Sequence, residues 1–376
     1  MQQNNIDKDA LVKRFFNLAR IDGVSRDERA IADFVLDFLN NINISAREDD
    51  TADKINGNTG NIIAKVPGTS KDQNSLLLMS HMDTVDHTDA LEPVIDKGII
   101  KSGGETILGA DDRAGIAIIL HVLEYLQQNN VNHRPLEIVF SVGEEKGMLG
   151  SSHLDFSQLT SQEGYILDCS RPPGQYVART PSSFDVKFTF SGKASHAGVA
   201  IENGINAISM ALEVLQKFQV GRIDSETTAN IGTINGGTAV NVVPEKVTAT
   251  GEIRSFKPKT IETMCQKIKK YGKTISDKYN GNVEVECIPI FEGFDLSEDI
   301  PVVTRLISAY KKFSLKPEGL TYYGGSDANV VNKHNINTVN IGVGVKNPHA
   351  HNEEIAVKDL VTTAEIVLDL VGEKNG

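Results

Sequence analysis

Several apolar runs in this 376-residue sequence lead directly into side chains that could do chemistry. The run at residues 76–79 is followed by His81 and Asp83. A continuous apolar run is typical of a strand buried on both faces of a parallel sheet, and ligands collect beyond the carboxyl ends of such strands. His81 is therefore a candidate ligand or catalytic group, and the alternative is a core histidine hydrogen-bonded to a carboxylate.

Carboxylates occupy comparable positions in three later segments, which are two further predicted strands and the start of a buried helix at 114–126. The acidic residues at these positions are Asp111, Glu144, Glu145 and Asp168. Solvated charges placed by chance would not favour the ends of elements so regularly, so a functional site is favoured. Asp112, beside Asp111, is expected to cap the buried helix.

With His349 or His351, these residues form a set of nitrogen and oxygen ligands without a thiolate. Such a set suits zinc, manganese or cobalt, and the lack of a cysteine cluster argues against a closed structural zinc site. About six groups exceed the needs of one metal, so two metals sharing a carboxylate are the economical interpretation. Two metals about 3.5–4 Å apart could hold a bridging hydroxide and polarise a carbonyl, which predicts amide hydrolysis. Of Glu144 and Glu145, one would bind metal and the other would take a proton from water.

Composition excludes several other classes of protein. Apolar residues make up 40% and charged residues 23% of the chain, as in soluble globular proteins. The net charge of −12 argues against binding to nucleic acid or to anionic membranes. No stretch approaches the roughly 20 apolar residues of a membrane span, and no signal peptide is apparent, so we expect a cytoplasmic protein. The three cysteines imply no disulfide framework.

The patterning predicts two domains. Residues 1–181 and 292–376 are expected to form a discontinuous α/β domain, with a mostly parallel sheet and helices on both faces. Residues 182–291 change to alternating strands in the order strand, helix, strand, strand, helix, strand. This order predicts an inserted α+β domain of the ferredoxin-like type.

Local signals make further predictions. Ser25 and Glu28 have the spacing of a capping box, which predicts the start of a helix. The polar segment 42–60 is predicted to form turns, and the glycine-containing segment 86–108 a loop or hairpin. A helix is predicted at 258–279.

The ordered motifs resemble the dizinc exopeptidase family that contains peptidase T, glutamate carboxypeptidase and the acylamino-acid deacylases. The resemblance covers nearly the whole chain, and the set of motifs is specific although each alone is weak. The motifs are SHMDT at 80–84, GADDR at 109–113, VGEEK at 142–146, LD at 167–168, SHAG at 195–198, NVVP at 241–244, GSD at 325–327, and His349 with Glu353.

The resemblance implies two zinc ions per subunit, with cobalt or manganese as substitutes. His81 and Asp168 would hold one ion. Glu145 and His349 would hold the other, and Asp111 would bridge the two.

The resemblance also implies roles for the neighbouring residues. Asp83 would orient the metal-binding histidine, as an outer carboxylate commonly does. Glu144 would be the general base. The four-residue step to Glu353 favours His349 as the late ligand and leaves His351 in reserve. Arg113 stands where relatives often carry lysine, a departure that could alter a local ion pair.

The inserted domain resembles the family's lid and dimerisation domain. His196 would stabilise the oxyanion, and Asn241 and Arg254 would bind substrate. The guanidinium fork of Arg254 suits a free carboxylate, because the two can form paired hydrogen bonds. The alternatives are a surface histidine in a turn and an arginine in an ordinary ion pair.

The resulting expectation is a dizinc aminopeptidase, tripeptidase-like, that removes the N-terminal residue from short peptides and forms a homodimer through the inserted domain. The alternative within the family is an N-acyl-amino-acid deacylase or carboxypeptidase. Asp168 favours the peptidase, because the deacylases and carboxypeptidases commonly carry glutamate there. A non-catalytic binding protein is disfavoured, since every matched motif position is filled.

Overall fold

The computed structural model describes residues 6–69 and 74–372. The helices of these residues are α1 Lys8–Ala19, α2 Arg29–Asn41, α3 Thr51–Ile55, α4 Ala110–Asn129, α5 Leu149–His153, α6 Ala207–Lys217, α7 Pro258–Tyr279, α8 Pro301–Lys312, α9 Asp327–Lys333 and α10 Val357–Val371. The strands are β1 Ala46–Glu48, β2 Ile62–Val66, β3 Leu76–His81, β4 Pro93–Asp96, β5 Ile99–Ser102, β6 Leu136–Ser141, β7 Glu163–Cys169, β8 Gln175–Arg179, β9 Ser182–Ser191, β10 Gly221–Asp224, β11 Thr227–Gly236, β12 Lys246–Ser255, β13 Asn282–Phe291, β14 Glu318–Thr321, β15 Asn337–Gly342, β16 Val345–Lys346 and β17 Glu354–Ala356. In this part of the chain no helix is both long enough and apolar enough to span a membrane.

The chain divides into two compact units. The first unit runs to Arg179 and resumes at Asp295, and the second unit is Thr180–Phe294. The boundaries expected from the sequence, 182 and 291, can be compared with these limits of 180 and 294. The division leaves the first unit discontinuous in sequence.

The first unit is built on an eight-stranded sheet in the order β1-β2-β6-β3-β7-β15-β8-β14. Its centre is parallel, since β6, β3, β7 and β15 pair in parallel, whereas β1, β2 and β8 introduce antiparallel pairs. Helix α4 packs against β3 and β7, and α8 and α9 pack against β15. The predicted α/β class with a mostly parallel sheet is confirmed.

The central strands are buried along their whole length, as their apolar runs predict. Every residue of β3 and of β6 is buried. Residues 114–120 of α4 are buried without interruption, so this helix is enclosed by the protein. Because β3, β6 and β7 run in the same direction, their carboxyl ends meet at one edge of the sheet.

The second unit has the predicted ferredoxin-like arrangement, with one additional strand. Its antiparallel sheet has the order β10-β11-β12-β9-β13, in which β10 is the extra edge strand. Helices α6 and α7 pack against each other and against the sheet around a core that includes Phe188, Phe190 and Met210. The observed α7 coincides with the helix predicted at 258–279.

Two local predictions are wrong. Helix α2 begins at Arg29 without a side-chain cap, so Ser25 and Glu28 do not form a capping box. The segment 42–60 contains β1 and α3 instead of turns alone, because its polar residues are satisfied by hydrogen bonds such as those from Thr51 and Asn61 to Asp49. The segment 86–108 does contain a hairpin, β4–β5, which pairs with β17 in a four-stranded sheet.

Candidate metal centre

Four elements and one loop of the first unit bring ionisable side chains to the carboxyl edge of the central sheet. The residues are His81 at the end of β3, Asp111 in the first turn of α4, Glu145 in the 3₁₀ turn after β6, Asp168 near the end of β7 and His349 between β16 and β17. The turn after β6 is the 3₁₀ segment Glu144–Lys146, entered through Gly143 at φ 61°. A positive φ favours glycine, so the sequence can turn sharply there.

Asp111 lies between the two histidines. Its Oδ1 is 3.1 Å from Nε2 of His81, and its Oδ2 is 3.3 Å from Nε2 of His349. Glu353 fixes the backbone at this point, because its carboxylate accepts hydrogen bonds from the N–H groups of Gly109 (2.7 Å) and Asp111 (3.0 Å). The Asp111–Asp112 peptide bond is cis. The Asp111 carboxylate presents one oxygen to His81 and the other to His349.

The two remaining ligands predicted from the sequence each lie beside one histidine. Asp168 Oδ1 is 3.8 Å from Nε2 of His81, and Glu145 Oε1 is 2.8 Å from Nε2 of His349. Ligand atoms of a tetrahedral metal with bonds near 2.0–2.1 Å are roughly 3.3 Å apart, so these separations suit such a metal. Among the described residues, ligand atoms of His81, Asp111 and Glu145 all lie within 4.8 Å of one another.

The two late histidines have different surroundings. His349 reaches Asp111 and Glu145, although about half of its side chain is exposed. His351 is exposed on the same loop. The geometry therefore brings His349 to the other candidate ligands.

The electrostatics of the cluster favour a bound cation. Burial, together with neighbouring carboxylates, raises the pKa of Asp168 and of Glu144 well above their usual range. Burial would also lower the pKa of His81, but hydrogen bonds with Asp111 and Asp83 raise it well above the ordinary value. The cluster thus holds more buried carboxyl groups than its histidines could balance if all were ionised, and a divalent cation would favour the ionised forms. The nitrogen and oxygen donors of His81, His349 and the three carboxylates Asp111, Glu145 and Asp168 fit a divalent cation of the zinc type.

Asp83 contacts both the first histidine and the glutamate pair. Nδ1 of His81 is 3.0 Å from the carbonyl oxygen of Asp83 and 3.4 Å from its carboxylate. The Asp83 carboxylate accepts hydrogen bonds from the N–H groups of Glu144 (2.9 Å) and Glu145 (3.1 Å) and from Ser25 Oγ (2.6 Å). Asp83 therefore links the end of β3 to the turn after β6.

A cavity of about 110 Å³ opens beside the cluster. It is lined by Glu144, Glu145 and Asp168 and by residues that sequence reasoning missed, including Tyr322 and Asn340. Asn340 holds Asp168, since its amide Nδ2 donates to Oδ2 (3.3 Å) and its Oδ1 accepts from the Asp168 N–H (3.2 Å). Nothing in the sequence distinguishes Asn340 from other strand residues.

Asp112 and Arg113 brace the start of α4. Asp112 Oδ1 accepts a hydrogen bond from the N–H of Gly115 (3.1 Å), which confirms its predicted capping role. The buried Arg113 guanidinium donates to the carbonyl oxygens of Met82 and Ile21. Burial lowers the pKa of Arg113 to about 10, although Asp83, Asp22 and Glu28 oppose the shift. Arg113 therefore connects the segment after β3, at Met82, to the segment after α1, at Ile21.

The three predicted substrate residues lie in the second unit. The loops that carry His196 and Asn241 are neighbours, because the N–H of Ala197 donates to the carbonyl oxygen of Asn241 (3.0 Å). Arg254 on β12 donates through Nε and Nη2 to Glu252 Oε2 at 3.1 and 3.0 Å. Arg254 is therefore an ion-pair partner within its own unit, and a substrate carboxylate would compete with Glu252.

Two family descriptions match parts of the chain. Residues 61–164 match Peptidase family M28, and residues 180–280 match the Peptidase dimerisation domain. The first match covers β3, α4 and β6 of the metal centre, and the second covers most of the ferredoxin-like unit. Both descriptions are of peptidases, and neither match covers half of the chain.

Similar proteins of nearly the same length specify the family. The chain is 36% identical over 368 residues to the uncharacterised protein YqjE of Bacillus subtilis strain 168, covering 98% of this chain and 99% of that protein. The crystal structure of aminopeptidase PepT from Bacillus cereus ATCC 10987 is 36% identical with a TM-score of 0.91, covering 97% and 98% of the two chains. A tripeptidase from Staphylococcus aureus Mu50 is 30% identical with the same TM-score and the same coverage. The chain belongs to the peptidase T family.

Proposed function

We propose that this chain is a metal-dependent aminopeptidase, tripeptidase-like, that hydrolyses the N-terminal peptide bond of short peptides. The observation that carries the proposal is the position of Asp111, with one carboxylate oxygen toward His81 and the other toward His349. A shared carboxylate between two sets of ligands is suited to a pair of metals. The similar proteins named aminopeptidase and tripeptidase support the same activity.

The proposed metals are two divalent ions, zinc in the first instance, with cobalt or manganese as substitutes. His81 and Asp168 would hold one ion, Glu145 and His349 the other, and Asp111 both. When bound, the ions would supply Lewis-acid activation of water and of the amide carbonyl.

Glu144 is proposed as the general base. It lines the cavity beside the ligands, and the Asp83 carboxylate fixes its backbone N–H. Because burial and the charges of Asp327, Glu145 and Asp83 raise its pKa, Glu144 is a stronger base than an exposed glutamate. It would take a proton from the attacking water and deliver it to the leaving amine.

The similar proteins favour an aminopeptidase over the deacylase and carboxypeptidase alternatives. The solved structures that are 36% and 30% identical to this chain are named an aminopeptidase and a tripeptidase. Asp168 supports the same choice, because the resemblance implies glutamate at that position in the deacylases and carboxypeptidases.

The second unit is proposed to bind substrate and to form a homodimer. His196 would stabilise the oxyanion. Asn241 and Arg254 would bind the peptide, and Arg254 would pair with the free carboxylate of the peptide. The match of residues 180–280 to a dimerisation domain supports the dimer. Light scattering on the full chain should give twice the monomer mass of 40.9 kDa.

The function is tested by metal analysis together with substrate assays. We expect close to two metals per chain in protein purified without chelator, and metal-dependent release of the first residue from a tripeptide. An N-acetyl amino acid should not be hydrolysed. Hydrolysis of the acyl substrate alone would contradict the aminopeptidase, and absence of both metal and activity would contradict the catalytic proposal.

A further inference from the structure

The segment Ser25 to Glu28 does not cap the helix that follows it. Helix α2 starts at Arg29 without a hydrogen bond from the side chain of its N-cap residue Glu28, and the Arg29 N–H donates to Asn58 Oδ1 instead (3.0 Å). Ser25 Oγ donates to Asp83 Oδ2 at 2.6 Å. The fully buried Glu28 accepts a hydrogen bond from the N–H of Gly143 at 2.8 Å. Both side chains therefore reach the metal centre's surroundings from a segment more than 50 residues away in sequence.

Glu28 and Asp83 together hold three consecutive backbone N–H groups. Gly143 donates to Glu28, and Glu144 and Glu145 donate to the two carboxylate oxygens of Asp83 at 2.9 and 3.1 Å. Two carboxyl side chains therefore satisfy three consecutive backbone donors of this turn. The turn that carries the proposed base and one proposed ligand is thus attached to the protein through these acceptors.

The orientation of both glutamate side chains depends on this attachment. Gly143 has φ 61° and Gly147 has φ 93°, so the turn lies between two residues in left-handed conformations. Within the turn, the N–H groups of Gly147 and Met148 donate to the carbonyl oxygen of Glu144 at 2.9 and 2.7 Å. The hydrogen bonds to Asp83 and Glu28 attach the turn to the residues after β3 and to the segment before α2.

We propose that Ser25 and Glu28 are positioning residues, which hold the Glu144–Glu145 turn in its working geometry through Asp83 and through the N–H of Gly143. The inference rests on the proposed function of Glu144 and Glu145. Ser25 acts by fixing the Asp83 carboxylate, and Glu28 acts on the turn directly. Neither residue touches the substrate. Such outer residues typically contribute about 10- to 100-fold to activity or metal affinity.

Four variants of the full chain test the proposal, with tripeptide kinetics as the first measurement. Ser25→Ala and Glu28→Ala should lower kcat by about 10-fold or more with little change in KM. Ser25→Thr keeps the hydroxyl donor, and Glu28→Gln keeps an acceptor for Gly143, so both should restore most of kcat. Val35→Ala is the matched control, since it removes buried atoms from α2 at a position about 10 Å along the helix from Glu28.

Hydrogen exchange provides a second measurement that does not require activity. In metal-free protein, Glu28→Ala should speed exchange of the amides at 143–145, and Val35→Ala should leave them unchanged. If the wild type cleaves no peptide, the proposed function fails, and this exchange result still decides the positioning role. Unchanged exchange and kcat in both alanine variants would overturn the proposal. If Glu28→Ala does not fold, the half-buried Ser25→Ala gives the decision alone.

Discussion

Glu144 and Glu145 are adjacent in the chain but have different surroundings. Glu145 Oε1 lies 2.8 Å from Nε2 of His349, as expected for two ligands of one metal. Glu144 lines the cavity, and burial raises its pKa. The two amide substitutions should therefore fail in different ways.

We predict that Glu144→Gln lowers kcat by roughly a hundredfold or more and keeps the metal content of the wild type, because the substitution removes the general base but none of the proposed metal ligands. Glu145→Gln should lose metal affinity as well as activity. Metal analysis and tripeptide kinetics on the two variants measure the difference. His351→Ala, an exposed change near His349, is the control and should behave as the wild type. Loss of metal in Glu144→Gln would mean that Glu144 is the metal ligand and Glu145 the general base.

Glu28 gives a pH prediction. Burial and the charge of Asp83 raise its pKa from 4.5 to about 7, although the N–H groups of Arg26 and Gly143 oppose the shift. The folded state thus binds the Glu28 proton more tightly than the unfolded state. The associated stability is complete below pH 4.5 and is lost as the pH rises through about 7, by roughly 3 kcal/mol.

Glu28→Gln should remove this dependence, because glutamine stays neutral. The difference in unfolding free energy between the wild type and Glu28→Gln should therefore shift in favour of the variant between about pH 4.5 and 7. Urea unfolding of chelated protein at several pH values measures it. The exposed Glu105→Gln is the control and should give a difference that does not vary with pH. A flat difference for Glu28→Gln would mean that Glu28 is ionised in the folded state throughout.

At the scale of elements, the parallel core could be predicted from the sequence and the attachments to it could not. Continuous apolar runs predict β3 and β6, and the common direction of parallel strands predicts that the residues after them meet. The spacing of Ser25 and Glu28 is the same for a helix cap and for a pair of long-range hydrogen bonds. Local pattern cannot distinguish these, because the partners Asp83 and Gly143 are distant in sequence.

The contact of Asn340 with Asp168 has the same explanation. It depends on the register between β15 and β7, which residue type does not encode. The choice of His349 over His351 came instead from the resemblance, through the four-residue step to Glu353. The short edge strand β1 was not predicted, because the polar segment 42–60 gives a weak periodic signal, whereas the apolar residues of β2 do indicate a strand at 61–66. Apolar periodicity therefore predicts the frame, whereas the polar contacts require coordinates.

The close contact of α5 with its neighbours gives a prediction about an element. A Cβ on Gly150 would lie 2.3 Å from the carbonyl oxygen of Val142, which follows β6, and 2.4 Å from Asn61 Oδ1, so α5 would have to move away from both residues. Gly150→Ala should lower the unfolding free energy by about 1–3 kcal/mol. Gly104→Ala is the matched control, because nothing lies within 4 Å of its added Cβ. Equal urea midpoints for the two variants would show that α5 accommodates the methyl group without cost.

At the scale of the whole molecule, metal binding should stabilise the first unit. The proposed ligands come from four separate elements and a loop, so bound ions would cross-link them. A ligand at a thousand times its Kd contributes about 4 kcal/mol to stability. Chelation should therefore increase hydrogen exchange in β3, β6 and the start of α4. The α7 core of the second unit is the internal control and should be unchanged.

This stabilisation should depend on pH in a defined direction. Hydrogen bonds with Asp111 and Glu145 raise the pKa of His349 to about 10, so the metal-free side chain carries a proton at neutral pH. A metal must displace that proton, and affinity should rise on the order of tenfold per pH unit for each proton released. Calorimetric titration of metal-free protein with zinc at pH 6, 7 and 8, in buffers of different ionisation enthalpy, measures the metal affinity and the number of protons released. His349→Ala should weaken binding and lower the number of protons released, because the protonated ligand is gone. Affinity independent of pH would mean that His349 is neutral before the metal binds or does not bind it.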